Sequence, residues 1–188
     1  MANLIRCKAC GYVTCEGKIK DVCPACGVPA KMFEPYTDPV SEKRRMILGL
    51  HIHPVMVHFP QAFSISLFFL MVVSYFSPVK IEWMLFDTIL VISSLLPYFV
   101  ILSIITGLLD GIIRFRKVTT PLLKKKIILG VLLLITSIAI SFVTFSEQLL
   151  VIASPAYEIL TLLTIVAVAC CTGLGLIGGR LMDAKFPG

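Results

Sequence analysis

The sequence predicts a chain in two parts: a small metal-bound domain of strands and cysteine knuckles, then an all-α bundle of four transmembrane helices. Three observations carry this prediction. Two Cys-x-x-Cys-Gly knuckles, Cys7-Lys8-Ala9-Cys10-Gly11 and Cys23-Pro24-Ala25-Cys26-Gly27, lie in a polar stretch at the start. Of the 188 residues, 57% are hydrophobic and only 15% charged, whereas soluble domains average about 45–50% apolar and about 25% charged. The apolar residues gather into four long runs that follow the knuckles.

Four thiolates at this spacing form a tetrahedral all-sulfur cage, which selects iron or zinc over hard cations. Cys7, Cys10, Cys23 and Cys26 are the expected ligands. The residues between Cys10 and Cys23 leave room for two short strands and a turn. Glycine directly after each second cysteine lets the backbone turn tightly, so that amides face sulfur and stabilise thiolate charge. A head ending near residue 36 falls below the roughly 40-residue limit for folding without a staple, so the metal is its main support. Tyr12, Val22 and Phe33 are the expected apolar core, and Cys15 is a spare thiol rather than a fifth ligand. Seven cysteines, an odd number with four committed to metal, fit a reducing cytosol better than a secreted disulfide scaffold. Residues 37–50, with Pro39 and the Lys43-Arg44-Arg45 run, read as an ordered-to-flexible linker.

A spanning helix needs about 20 apolar residues at 1.5 Å rise. Runs at about 54–77, 84–110, 127–146 and 156–178 qualify. They are joined by a turn with Pro78, Lys80 and Glu82, a basic loop Arg114–Lys126 and a short loop Glu147–Pro155. No secretory signal opens the chain, so the first run acts as an uncleaved anchor. With the amino terminus inside, sixteen of the seventeen Lys and Arg residues face inward, including Arg180 and Lys185 in the tail, and only Lys80 lies outside. The expected location is the cytoplasmic (inner) membrane, multi-pass, with both termini cytoplasmic. Tyr75, Trp83 and Tyr157 are placed in the outer aromatic belt. The net charge of +6 belongs beside anionic headgroups, at about 1 kcal/mol per base, so the lipid bilayer and not nucleic acid is the expected partner.

All three histidines fall in His51-Ile52-His53-Pro54-Val55-Met56-Val57-His58-Phe59-Pro60. His53 belongs to the N-cap region with Pro54 in the first turn. His58 lies about a turn deeper, where an ionisable group is costly and a functional suspect. Pro60 removes a backbone hydrogen bond and opens room for a polar pocket. Asp110, at the far end of the second run, either orients the His58 imidazole or carries protons, or else forms an i,i+4 pair with Arg114. His53, His58 and Asp110 are thus a candidate membrane cofactor or proton site. Pro97, after Ser93 and Ser94, is expected to kink its helix. Ala167, Cys171, Gly175 and Gly179 make a small-residue seam for helix packing, with an oligomer through Gly175 and Gly179 as a further use, and Cys170 and Cys171 read as small span residues. No phosphate loop, catalytic triad or pair of acid/base carboxylates is present in the sequence, which favours an electron carrier over a stand-alone enzyme.

The stretch Arg6-Cys7-Lys8-Ala9-Cys10-Gly11-Tyr12-Val13, followed by Val22-Cys23-Pro24-Ala25-Cys26-Gly27, resembles a rubredoxin-type domain. The shortened middle and the ending Pro29-Ala30-Lys31-Met32-Phe33-Glu34 are most similar to the compact module of rubrerythrins. The resemblance covers about residues 4–36 and implies one iron on the four cysteines, cycling between ferrous and ferric; a structural zinc ribbon is the competing reading. The remainder resembles an uncharacterised family of four-helix membrane proteins, through His53-Pro54-x-x-Val57-His58-Phe59-Pro60, Gly107-x-x-Asp110 and Gly178-Gly179-Arg180-Leu181. That family lends topology rather than chemistry. Its further histidine near the start of the third span is replaced here by Pro121-Leu122-Leu123-Lys124-Lys125-Lys126, which weighs against a bis-histidine b-type haem. The expected function is single-electron relay from a cytosolic reductase, through the iron, to a membrane acceptor near His53, His58 and Asp110. A quinone, a haem with one histidine ligand or a partner redox complex would serve as that acceptor. The alternatives are a zinc-ribbon membrane scaffold and, more remotely, a small-ligand sensor or transporter.

Overall fold

Strand β1 (Leu4–Cys7) runs straight into the first knuckle, so the knuckle itself is the turn of a hairpin with β2 (Val13–Cys15), Arg6 lying opposite Val13. The other edge of β1 pairs antiparallel with β3 (Phe33–Tyr36), which places Cys7 opposite Phe33 and gives the order β2-β1-β3. The structure is a computed structural model that describes residues 4–19, 21–37, 41–76, 79–115, 120–146 and 154–183. It divides into two compact units, one made of Met1–Met46 with Gly178–Gly188 and one spanning Ile47–Ile177.

Two expectations for the head are corrected. Only β2 forms between the knuckles among the described residues, because a turn at Glu16-Gly17-Lys18, with Gly17 at φ 91°, and the second knuckle take up the remaining chain. The Val22–Pro29 bridge spans that second knuckle instead of extending a strand. Nor are Tyr12 and Val22 a core: they are 38% and 54% exposed, and Phe33 is half-buried. Among the described residues of the head, only Cys7 and Cys23 are fully buried. The interior of this unit is sulfur. Across β1 and β3, Arg6 donates to Glu34 at 2.7 Å and its guanidinium lies 5.3 Å from the Tyr36 ring centroid.

The expected linker contains regular structure. Glu42–Gly49 is a helix, α1, because Glu, Lys, Arg, Met and Leu all favour helix and no β-branched run interrupts them. It stops at Gly49, and the chain turns through His51, at φ 50°, into α2 (Ile52–Phe76). Then follow α3 (Val79–Phe115), α4 (Pro121–Thr144) and α5 (Pro155–Asp183). Among the described residues, four helical stretches are long and apolar enough to cross a membrane: Met46–Phe76, Trp83–Arg114, Pro121–Thr144 and Pro155–Gly179.

The expected Arg114–Lys126 loop is shorter than the sequence suggested. Arg114 is still helical, and Lys124–Lys126 belong to the first turns of α4. That helix starts early because Thr120 accepts the Leu123 amide and Pro121 supplies a preset first φ. Ser154 and Pro155 start α5 in the same way, Ser154 accepting the Tyr157 amide at 3.2 Å. Pro39, Pro78, Glu147 and Lys185 lie outside the described residues.

Each long helix buries a stripe spaced three and four residues apart. On α2 the stripe is Pro60, Ser64, Leu67, Met71 and Ser74; on α3 it is Ile89, Ser93, Leu96, Val100 and Ser103. Leu123, Gly130, Leu133, Ser137, Ile140 and Thr144 form it on α4, and Tyr157, Leu160, Thr164, Ala167 and Cys171 on α5. Such 3-4 spacing is the packing pattern of left-handed bundles in water and in lipid. Outside the stripes, large apolar side chains such as Phe69, Phe142 and Leu162 are more than 60% exposed. A membrane accounts for that surface; water would not.

Hydroxyls of neighbouring helices repair the prolines. A proline has no N–H, so the carbonyl four residues earlier loses its helical donor. Pro60 frees the Met56 carbonyl, which accepts Ser103 Oγ of α3 at 3.0 Å. Pro97 frees the Ser93 carbonyl, which accepts Ser141 Oγ of α4 at 2.5 Å. The expectation that Pro60 opens a polar pocket is replaced by a direct interhelical hydrogen bond. Tyr157 also departs from its expected place in an aromatic belt. It is 4% exposed and its hydroxyl donates to the Met71 carbonyl beside Ser74, whereas Tyr75 and Trp83 are indeed outward, at 61% and 67%.

Candidate functional site

The two knuckles are copies of one another, sixteen positions apart. In the first, Cys7 N–H donates to the Tyr12 carbonyl at 2.8 Å and Gly11 N–H to the Cys7 carbonyl at 2.9 Å. In the second, Cys23 N–H donates to Val28 at 2.7 Å and Gly27 N–H to Cys23 at 2.9 Å. Gly11 and Gly27 have φ 74° and 75°, a left-handed turn that a side chain would strain. This local chemistry is why the Cys-x-x-Cys-Gly spacing folds the way it does.

The knuckles bring all four predicted ligands together. The sulfurs of Cys7, Cys10, Cys23 and Cys26 all lie within 4.8 Å of one another, with Cys7 to Cys26 at 3.8 Å and Cys10 to Cys23 at 3.7 Å. A tetrahedral ion with metal–sulfur bonds of about 2.3 Å needs sulfurs about 3.8 Å apart, so these side chains fit such an ion. Cys15 stands outside the cluster, on β2 opposite Leu4. The thiols divide in their acidity. For Cys10, the Tyr12 amide favours the thiolate, but desolvation and the neighbouring Cys26, Cys7 and Cys23 thiols outweigh it and push the value up to about 12. For Cys23, desolvation opposes ionisation, yet the Cys26 and Ala25 amides with the Cys26 and Cys10 thiols bring it down to about 7. The amides directed at sulfur are those the glycine turns were expected to supply.

In the membrane unit only part of the predicted site stays together, His53 and Asp110 at one mouth of the bundle without His58. His58 is exposed, and so is His51. Asp110 pairs with Arg114 of its own helix at 3.2 Å and 3.3 Å, so of its two expected uses the i,i+4 pair is the one formed. It is His53 that enters the bundle. Its Nδ1 lies 3.4 Å from Thr106 Oγ1 and its Nε2 lies 3.4 Å from Lys126 Nζ. Thr106 already donates its one hydroxyl proton to the Leu102 carbonyl at 2.9 Å, so its oxygen accepts from His53. The proton of the neutral imidazole is therefore on Nδ1, and the Nε2 lone pair accepts from the ammonium. A haem iron at His53 would have to displace Lys126.

Sequence reasoning missed Lys126, though a signal was there. Extending the 3-4 stripes past their apolar ends places His53 on α2, Gly107, Asp110 and Arg114 on α3, and Lys126 on α4, all on the inward face. Gly107 has a reason to be glycine: a Cβ there would sit 2.8 Å from His53 Cε1. On α5 the small-residue seam is used within the chain, with Ala167 buried and Cys171 Sγ 3.6 Å from Ser64 Oγ, while Gly175 and Gly179 are exposed.

Fold and site define a class: a knuckle module of four clustered cysteines joined to four helices of membrane-spanning length. No protein-family model matches the chain, and neither a curated protein nor a solved structure does. The resemblances to rubredoxin-type domains and to four-helix membrane proteins rest on their motif residues alone.

Proposed function

We propose that the chain is a membrane-anchored electron carrier of the rubredoxin-like kind, with Cys7, Cys10, Cys23 and Cys26 holding a single iron at the cytoplasmic face. The supporting observation is the pair of matching knuckles converging four sulfurs within 4.8 Å of one another, in a unit whose fully buried side chains among the described residues are Cys7 and Cys23. Bound there, iron supplies a one-electron ferrous/ferric couple. The protein's own part is to keep that couple fast and reachable. Cys7 and Cys23 anchor the cage at 1% exposure each, while Cys26 is exposed and Cys10 half-buried, which leaves a sulfur edge open to a soluble reductase. The rigid glycine turns hold the sulfurs in one geometry through a change of charge, and amides aimed at sulfur offset the negative thiolates.

The four helices keep this unit at the bilayer. Tethering raises its effective concentration over a membrane acceptor to around millimolar. A quinone or a partner redox complex suits the bundle better than haem, because the inward imidazole already accepts from Lys126. The test uses the full chain in liposomes with and without a membrane quinone. After chemical reduction, the visible absorbance of the iron should return faster when quinone is present, and faster than with an equal amount of protein kept in detergent. Equal rates in all three samples would remove the membrane acceptor from the reading.

A further inference from the structure

We infer that Lys126, steered by His53, is a binding site for a phosphate oxyanion, supplied by the headgroup of an anionic phospholipid. The site lies outside the metal unit and does not depend on its redox chemistry.

Three successive lysines open α4, and they do not behave alike. Lys124 and Lys125 are exposed, but Lys126 is half-buried. It occupies the inward 3-4 position between Leu123 and Gly130, the stripe that further along carries Leu133, Ser137 and Ile140. Its ammonium is therefore turned toward the mouth of the bundle, where it meets His53. There, among the described residues, it touches one polar group, His53 Nε2 at 3.4 Å. Because the Thr106 contact puts the imidazole proton on Nδ1, His53 offers Lys126 a lone pair and no charge. Asp110, the carboxylate at this end of α3, is engaged by Arg114 through both oxygens.

The charges described at this mouth thus set Asp110 against Arg114, with His53 neutral and Lys126 in excess. An ammonium has three protons to donate, and His53 takes one. Holding a half-buried cation with unspent donors beside lipid is unfavourable unless an anion completes it. Lys126 lies five residues into α4 from Pro121, about 7.5 Å along the axis, directly before the apolar run that opens with Ile127 and Ile128. Basic groups between helix ends at that level select anionic headgroups. His53 is a positioning residue: packed against Gly107, where a Cβ would sit 2.8 Å from its Cε1, it fixes the direction of the Lys126 donors.

The experiment is native mass spectrometry of the full chain in detergent, titrated with dioleoyl phosphatidylglycerol, dioleoyl phosphatidylcholine and inorganic phosphate. Wild type should hold one phosphatidylglycerol at least about tenfold more tightly than phosphatidylcholine, the range of a charge-assisted hydrogen bond. Lys126→Gln should abolish that preference and Lys126→Arg should keep it. His53→Ala should weaken it several-fold, and Lys125→Gln should leave it unchanged. Displacement of the lipid by millimolar inorganic phosphate would support the oxyanion site while assigning its ligand to the soluble pool. Equal losses in Lys126→Gln and Lys125→Gln, or no preference between the two lipids, would overturn the site in favour of a diffuse basic surface. Retention of the helical circular-dichroism signal in each variant separates these results from misfolding.

Discussion

In the head, Cys7 and Cys23 are the fully buried side chains among the described residues, whereas the bundle buries Leu67, Met71, Ile89, Leu96, Ile140 and Leu160 together with hydroxyls from every spanning helix. The two units therefore hold together by different physics. The head gathers its buried atoms around one cluster of four sulfurs, so its stability is expected to follow whatever those sulfurs bind. The bundle spreads its cohesion over 3-4 stripes and single hydrogen bonds, so no one contact decides its existence. An ion held by those sulfurs could then be lost without loss of the helical bundle.

The largest effect that could break this contrast is metal removal. A strong chelator should abolish amide protection through the head while α2 to α5 keep theirs, as read by hydrogen exchange with mass spectrometry. A structural metal contributes on the order of 10 kcal/mol, far more than the rest of so small a unit supplies. Unchanged protection in β1 to β3 after metal loss would show that the head has another source of stability.

A smaller effect sharpens the picture of the bundle. Ser141→Ala leaves the Ser93 carbonyl, freed by Pro97, without its donor. It should destabilise by about 0.6–1.7 kcal/mol, the scale of interhelical hydrogen bonds in lipid. The same change in a Pro97→Ala background should cost less, because the helix then supplies its own donor. Equal costs in the two backgrounds would remove the coupling.

Gly107→Ala should change stability by less than about 1 kcal/mol, since the nearest atoms belong to a side-chain ring that can swing away and alanine gains helix propensity. Its effect falls on His53 instead. The Nδ1-protonated tautomer, visible in imidazole nitrogen NMR shifts, should give way to a mixture, and an unaltered spectrum would contradict the packing described.

The smallest effect concerns pH. Glu34 is held below the usual carboxylate range chiefly by its hydrogen bond from Arg6, and to a lesser extent by the charges of Arg6 and Lys8. A depressed folded value adds stability at pH above the unfolded glutamate value of about 4.3, and that share is lost as pH falls through the folded value. The advantage of wild type over Glu34→Gln, measured by denaturant titration of metal-loaded protein, should be slight at neutral pH and vanish in acid. An advantage that grew on acidification would reverse the assignment.

Much of this architecture is legible in the sequence because its signals are local. A Cys-x-x-Cys-Gly turn is fixed by five residues, and a membrane span announces itself by length and hydropathy. What was illegible depended on phase and partner. His53 and His58 are five residues apart, about 140° around a helix, so they cannot both face inward. Choosing His53 required knowing which stripe packs, and that emerges only when Pro60, Ser64 and Leu67 are seen buried. Lys126 was concealed in a basic run that reads as loop, and Tyr157 in an aromatic pattern that reads as interface. The strand order of the head was equally hidden, since β1 and β3 meet across the whole knuckle region.

The measurement that bears most directly on the central claim is an optical redox titration of the purified full-length protein, paired with metal analysis of the same sample. One iron per chain, a visible charge-transfer band and reversible bleaching with a one-electron slope are predicted. One zinc per chain and a spectrum indifferent to potential would contradict it.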